Sequence, residues 1–485
     1  MEFQKKGAWA NDALRMLLTG YLFLSAFRIA LSCLIAIFGW QEYAMFGPRD
    51  DFFADSIKSG LAQTSISHCL LSDPSVRDWP QIFQRYLFHN DYLQPGWSIH
   101  HSPPFSMLML MGFAAILLVV PPTILIVMLA SVYAAGTALV ARLARAASGQ
   151  QLALPLFMLI LLSFPSLFML DRGNIHSGLT SLCVIFYVIS AHKDRWKRPG
   201  WLALAVAINL RPNVAIFALL EFARTPDRRA AIMGIFTAAV LSLGIAGISY
   251  LIAHAIDATY TPKSFLAALD LYRLNYVEGR SGFLWNSSLA NSGKTIRYFL
   301  DIEPFYSAPW TLASSILGLT AIAVLTMLAW FSRMGALGLT FSLAACSALF
   351  TPVLAEYHLL VFVSPLLLAV LSKPEAISTK ILYRGLFYLG LLQFLCFLHW
   401  MGPHPILLGL MACVALAFPL IIARATRPDE STEAVLALVS LAALSPLGGM
   451  ITQGYVVGLM VFATLVWLLW QGNTRRSGDP VTISR

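Results

Sequence analysis

Gly47-Pro48-Arg49-Asp50-Asp51-Phe52-Phe53-Ala54-Asp55 stands inside a polar stretch, residues 40–102, with long apolar runs before and after it. The two carboxylates Asp50 and Asp51 follow directly on the first apolar run, at about 14–38. Such a stretch belongs in water beside a bilayer, and the runs around it belong inside the bilayer. The whole chain agrees. It has 485 residues, of which 58% are hydrophobic and only 12% charged, about half the charged share of an ordinary soluble domain. Mean hydropathy is +0.71. Alternating ten-residue segments, the mark of a transmembrane barrel, are missing. The reading is all-α: one polytopic transmembrane helical bundle over 1–485.

Apolar runs place further spans at about 103–120, 122–141, 152–170, 175–191, 200–222 and 229–256. More follow at about 307–332, 335–354, 357–372, 382–400, 404–423, 433–447 and 453–471. About 12–14 membrane segments are expected, the additional C-terminal ones over 382–471. A second large polar loop is expected over 257–306. Lys5, Lys6 and Arg15 precede the first span and place its start in the cytoplasm, so both large loops, 40–102 and 257–306, are expected outside. Phe52, Phe53, Ile57, Leu61 and Ile66 recur at near-helical spacing, which predicts a short amphipathic helix on the membrane surface.

The net charge of +9 sits in short loops between spans, the positive-inside pattern, so no nucleic-acid partner is expected. The basic groups Arg142/Arg145, Lys193 to Arg198, and Arg224 to Arg229 all read as cytoplasmic. Strict alternation of spans cannot place all three on one side. The segments 103–120, which ends at Pro121-Pro122, and 200–222, interrupted at Arg211-Pro212, are therefore candidates for broken or re-entrant helices. Five of the six cysteines lie in apolar runs, and no spacing suggests a metal site.

Polar groups inside the apolar runs mark candidate chemistry, because burying them in lipid is costly. Leu170-Asp171-Arg172-Gly173-Asn174-Ile175-His176 could instead be a plain Gly-Asn turn. Arg172, Asn174 and His176 there could meet a phosphate or a hydroxyl. Asn209-Leu210-Arg211-Pro212-Asn213 puts Arg211 in an apolar segment, needing an anion or carbonyl partner unless it snorkels. Glu356 and His358 stand between two apolar runs near Thr351-Pro352. In the second polar loop, Arg280, Asn286, Ser287 and Lys294 could recognise sugar and phosphate; Asn286-Ser287-Ser288 is also formally a glycosylation sequon. Asp55 and His101 belong to the first loop, which ends at His100-His101-Ser102-Pro103-Pro104. No phosphate-binding glycine loop, zinc-protease helix or serine-hydrolase elbow occurs.

Taken in order, these motifs resemble the GT-C integral-membrane glycosyltransferases, and within them the polyprenyl-phosphate-mannose-dependent α-mannosyltransferases of family GT87. The resemblance covers most of residues 10–372. It rests on Asp51-Phe52-Phe53, Ser102-Pro103-Pro104, Gly173-Asn174-Ile175-His176, Arg211-Pro212, Asn286-Ser287-Ser288-Leu289, and Thr351-Pro352 with His358. Two departures stand out: the Gly-Gln-x-Asn turn reads Gly-Asn-Ile-His, and arginine replaces lysine before the proline. The resemblance implies an inverting transfer of a sugar, mannose being expected, from a polyprenyl phosphate to a hydroxyl of a glycolipid or glycan. Asp51 would be the general base, with Asp50 as rival. Arg211, Arg280, Lys294 or His358 would meet the charge developing on the leaving phosphate. Besides the two substrates and membrane lipid no partner is implied, and no cofactor or metal is expected. The expected location is a bacterial plasma membrane, with the site on the periplasmic side. Two rivals were weighed. A transporter or flippase would show paired broken helices in repeated halves, and no repeat is evident. A lipid-linked oligosaccharide ligase or polymerase would also use outer loops but transfer whole oligosaccharides.

Overall fold

The computed structural model describes residues 102–117, 120, 122–148, 153–172, 174–191, 194–225, 227–256, 258, 260–278, 288–351, 356–372, 379–400, 405–425, 431–445 and 450–474, with 18–20, 22, 23, 26 and 30 near the N-terminus. All described secondary structure is helical. In order, the α-helices are α1 (Pro104–Leu117), α2 (Pro122–Ser148), α3 (Ala153–Leu161), α4 (Phe164–Arg172), α5 (Ile175–Ser190), α6 (Lys197–Leu210), α7 (Glu221–Arg224) and α8 (Arg228–Ile256). They continue with α9 (Pro262–Tyr272), α10 (Leu289–Phe299), α11 (Ala308–Trp330), α12 (Ala336–Leu349), α13 (Val363–Ser372), α14 (Thr379–Trp400), α15 (Pro405–Ala425), α16 (Ser431–Leu444) and α17 (Met450–Thr474). Three 3-10 segments, Asp194–Trp196, Pro212–Leu220 and Glu356–Phe362, interrupt this series.

Each expected span from 103 to 471 overlaps described helix, with 200–222 broken into α6, a 3-10 segment and α7. Four helices are long and apolar enough to cross a membrane alone, within α2, α8, α11 and α15, and the α3–α4 pair makes a fifth. That pair is bent by 56°, whereas the hydropathy pattern predicts one straight span over 152–170. The bend has a local cause. Ser163 donates to the Ile160 carbonyl at 2.7 Å, and its hydroxyl accepts from the Ser166 amide at 3.4 Å. Pro165 then sits in the first turn of α4, where its missing N–H costs nothing. Ser163-Phe164-Pro165 is thus a stop and restart.

Contacts between helices fix their directions. A Cβ on Gly178 would strike Tyr133, and one on Gly136 would meet Leu182, so α2 and α5 run the same way. Arg142 and Arg145 therefore lie at the end of the bundle where α5 finishes. Gly200 of α6 lies against Ser190, the last residue of α5. Glu221 bonds to Tyr187 and Trp201, so it returns to that same end. The stretch from α6 through the 3-10 segment to α7 is consequently a re-entrant hairpin with Arg211 at its apex.

The segment 103–120 also enters and leaves on one side. Tyr260, just past the far end of α8, donates to the Ser102 carbonyl at 3.1 Å, and Pro122 opens α2 at the end away from its arginines. These two reversals bring all three basic groups to one end, and the conflict that simple alternation creates disappears.

The basic end is held by a buried ion pair. Glu221 and Arg224 side chains are both 4% exposed and 2.8 Å apart. The carboxylate also accepts from Tyr187 Oη at 2.8 Å and Trp201 Nε1 at 3.2 Å. The Arg224 guanidinium lies over the Tyr187 ring at 3.7 Å and bonds the Tyr187 carbonyl. A Cβ on Gly234 of α8 would strike this carboxylate, so glycine there lets α8 close over it.

The expected second loop, 257–306, contains α9, a π-turn at Arg273–Glu278, and α10. A reciprocal capping box between Thr261 and Ser264 starts α9. Ser288 caps α10 by accepting from the Asn291 amide. The C-terminal helices α14–α17 pack onto the same apolar core as the rest.

Candidate active site

Arg211 is placed by a helix break. Its amide still closes the last turn of α6, donating to the Ala207 carbonyl at 2.7 Å. Its own backbone is extended (φ −147°, ψ 101°), as a residue before proline prefers. Pro212 then starts the returning segment without needing a donor partner. The α6 arm of 14 residues raises Arg211 about 21 Å above the basic end at 1.5 Å per residue. Asn209 anchors this apex to α8 by donating to the backbone and hydroxyl oxygens of Ser242, both at 3.0 Å.

At that height the start of α5 meets Arg211. Nη2 lies 3.2 Å from His176 Nε2 and donates to Ser177 Oγ at 3.1 Å. Ser177 Oγ donates to Asn174 Oδ1. Asn174 Nδ2 in turn donates to Tyr357 Oη at 2.8 Å. The result is a directional chain from guanidinium to hydroxyl to amide to phenol, joining the hairpin apex, α5 and the 3-10 segment Glu356–Phe362. Phe168 of α4 stacks on Tyr357 at 5.8 Å.

Beside this chain is a small cavity, with room for about one water, lined by Thr180, Ser181, Arg211, Asn213, Ser347 and His358. His358 packs edge-on against Tyr357 at 4.7 Å and is within electrostatic reach of Arg211 and His176. Asn213 donates to the Ser347 carbonyl at 3.0 Å. The feature that matters chemically is what Arg211 lacks. Its buried Nε has no hydrogen-bond partner, and among the described residues no carboxylate pairs with it. A guanidinium in a membrane bundle whose partners among the described residues are His176 and Ser177 can receive an anion.

Three motifs singled out in the sequence thus converge: Asn174/His176, Arg211 and His358. Arg172 closes α4 and Glu356 opens the 3-10 segment Glu356–Phe362, next to the same cluster in the chain; their side chains lie outside the described residues. Asp50, Asp51, Asp55, His101, Arg280, Asn286 and Ser287 also lie outside the described residues. Lys294 is on the buried polar face of α10 with Ser288, Asn291 and Thr295. That helix packs on α11 and α17, and burial pushes the Lys294 amine down to about 8. Sequence reasoning missed Ser177, Tyr357 and Asn213 as members of the site. Each is a neighbour, within three residues, of a residue it did select. No group of three or more His, Cys, Asp or Glu that could hold a metal occurs among the described residues.

The chain matches the model of Glycosyltransferase family 87 over residues 101–355. No curated protein and no solved structure matches it. The match takes in α1 to α12, the hairpin apex and the Asn174 turn, and stops just short of His358. Spanning more than half of a polytopic helical membrane chain, it shows that this protein is a membrane glycosyltransferase belonging to Glycosyltransferase family 87.

Proposed function

We propose that the enzyme moves a sugar, mannose, from a polyprenyl phosphate to a hydroxyl of a glycolipid or glycan on the extracytoplasmic side of the plasma membrane, with inversion. The observation that supports this is Arg211, a half-buried cation whose Nε is buried without a hydrogen-bond partner, which lines a small cavity with His358 and whose orientation is fixed through Ser177 and Asn174. In such a transfer the acceptor oxygen attacks the anomeric carbon as the bond to the phosphate oxygen breaks. The electron pair leaves on the lipid phosphate, whose growing charge a fixed guanidinium stabilises. Phosphate is a good leaving group, so no acid is needed. The acceptor proton goes to a carboxylate, Asp51, with Asp50 its rival. Asp55, His101, Arg280, Asn286, Ser287 and Lys294 would complete the donor and acceptor contacts from the two outer segments, with Arg172 and Glu356 flanking the cluster. A lipid donor also accounts for a catalytic chain made almost wholly of membrane helices. No metal is required in this scheme.

The test is a transfer assay on the purified chain in lipid, using radiolabelled polyprenyl-phosphate mannose and a mixed acceptor extract. Wild type should label a product, Asp51→Asn should not, and chelator should leave activity unchanged. Loss only in Asp50→Asn moves the base by one residue. No labelled product from wild type with any polyprenyl-phosphate sugar would defeat the donor assignment.

A further inference from the structure

Beyond the matched family region, α14 and α15 form a hairpin with a concavity of about 460 Å³ on its outer side, lined by Tyr383, Arg384, Phe387, Tyr388 and Ile421. We propose that this groove binds an anionic glycerophospholipid, the phosphate on Arg384 and the upper acyl chain along Phe387 and Ile421.

The height of the groove follows from the path of the chain. Tyr357 is bonded to Asn174 near the start of α5, and Val361 shares the cavity wall with Val184 further along it. The chain there runs with α5, so α13 descends to the basic end and α14 begins at that end. Arg384 is the sixth residue of α14, about 8 Å along the helix. The hairpin returns α15 to the same level. Arg424 follows Ile421 by three residues on α15 and so shares its face. The groove itself carries the Arg384 guanidinium, with Arg424 one helical turn beyond Ile421, at the end carrying Arg142, Arg145, Arg195 and Arg228. By the positive-inside pattern this is the leaflet rich in anionic lipid.

The lining suits a lipid rather than another helix. Tyr383 and Phe387 are 63% and 70% exposed, one helical turn apart. Among the described residues nothing pairs with Arg384. Tyrosine hydroxyls beside a guanidinium supply donors at headgroup level, and the phenyl and isobutyl-like surfaces below supply the chain contact. The volume falls within the range of formed small-molecule sites, about 300–1,000 Å³. An ordinary lipid-facing helix has no such concavity.

The full-length chain would be exchanged into micelles containing equimolar phosphatidylglycerol and phosphatidylethanolamine, and bound lipid counted by native mass spectrometry. One basic contact to an anionic headgroup is worth about five-fold in occupancy. Wild type should therefore retain phosphatidylglycerol over phosphatidylethanolamine by at least that factor. Arg384→Gln should erase the preference, while Arg145→Gln, at the same end but on α2, should keep it. Unchanged thermal melting of both variants would show that folding is intact. Equal retention of the two lipids, or equal loss in both variants, overturns the proposal in favour of diffuse charge. Displacement of the bound lipid by polyprenyl phosphate also overturns it, since the groove would then belong to the donor.

Discussion

Arg211→Gln tests the catalytic reading most directly. Glutamine ends near the position of Nε, short of the Nη2 that donates to Ser177, and the apex stays anchored by Asn209 on Ser242. What goes is the charge, and with it the Nη2 contacts. No neighbouring acid already neutralises Arg211 among the described residues, so the full loss falls on the departing phosphate. Removing one preorganised donor from a developing oxyanion costs about 10²–10³-fold in kcat, roughly 3–4 kcal/mol. Arg211→Lys keeps the charge but loses the fork that spans His176 and Ser177, and should fall between, about ten-fold down. The assay is single-turnover transfer from polyprenyl-phosphate mannose in nanodiscs, which separates chemistry from product release. Arg211→Gln with kcat within about three-fold of wild type, the protein being folded, would refute the assignment. A change in KM alone would reduce Arg211 to ground-state donor binding.

Three other outcomes follow from the structure. Ser177→Ala should lower kcat about ten- to a hundred-fold, the worth of one hydrogen bond to a charged group. It should add little to Arg211→Gln, because the two act as one unit. Glu221→Ala should destabilise the bundle by about 3–5 kcal/mol in a denaturant titration, since it strands Arg224 at 4% exposure, whereas Glu221→Met with Arg224→Met should recover most of that loss. Lys294, with its amine down at about 8, gives opposite pH trends for binding and stability. Between about 8 and the ordinary 10.5 the unfolded chain holds a proton the folded one lacks, so the ligand-free protein gains stability as pH rises through that window. On the proposed role of Lys294 in holding the donor through its charged amine, kcat/KM should fall above about 8, and Lys294→Arg should move that alkaline limb upward.

Hydropathy alone located the spans, because a helix in lipid must satisfy its own backbone and only apolar runs can do so. It could not show direction. Residues 200–222 read as one span by length, and only the Arg211-Pro212 interruption hinted at a reversal. What decides for a hairpin is the return of Glu221 to Tyr187 and Trp201, contacts across 34 and 20 residues. Glu221 itself attracted no attention in the sequence, although a carboxylate in an apolar run three residues before an arginine was a fair sign of a buried pair. The bend in α3–α4 was legible at Ser163-Phe164-Pro165 and was overlooked because mean hydropathy ignores which residues stop a helix. At the site, the intramembrane charge rule selected Arg211 and His176. Ser177 and Tyr357 escaped it because neutral hydroxyls are common in membrane helices, and their roles depend on which helix faces them.

The hairpin explains why the charge can be there at all. A continuous helix through 197–224 would direct Arg211 sideways, and its long side chain would snorkel to the nearest headgroup. Turning the chain at Arg211 instead puts the residue at the tip, inside the bundle, with α4, α5 and the Glu356–Phe362 segment around it. The turn leaves little backbone unsatisfied: Arg211 donates to Ala207, Pro212 has no donor, and Val214 donates to the Arg211 carbonyl at 3.2 Å. The cost of the half-buried charge is met partly by Ser177 and, among the described residues, not by an acid. An acid would have stabilised the resting protein more, as Glu221 does for Arg224 some 20 Å below. Two arginines of one hairpin therefore receive opposite treatment. Arg224 is neutralised, stacked and enclosed, and holds the hairpin to α5. Arg211 is oriented but left electrostatically open, and that is the state a leaving phosphate requires.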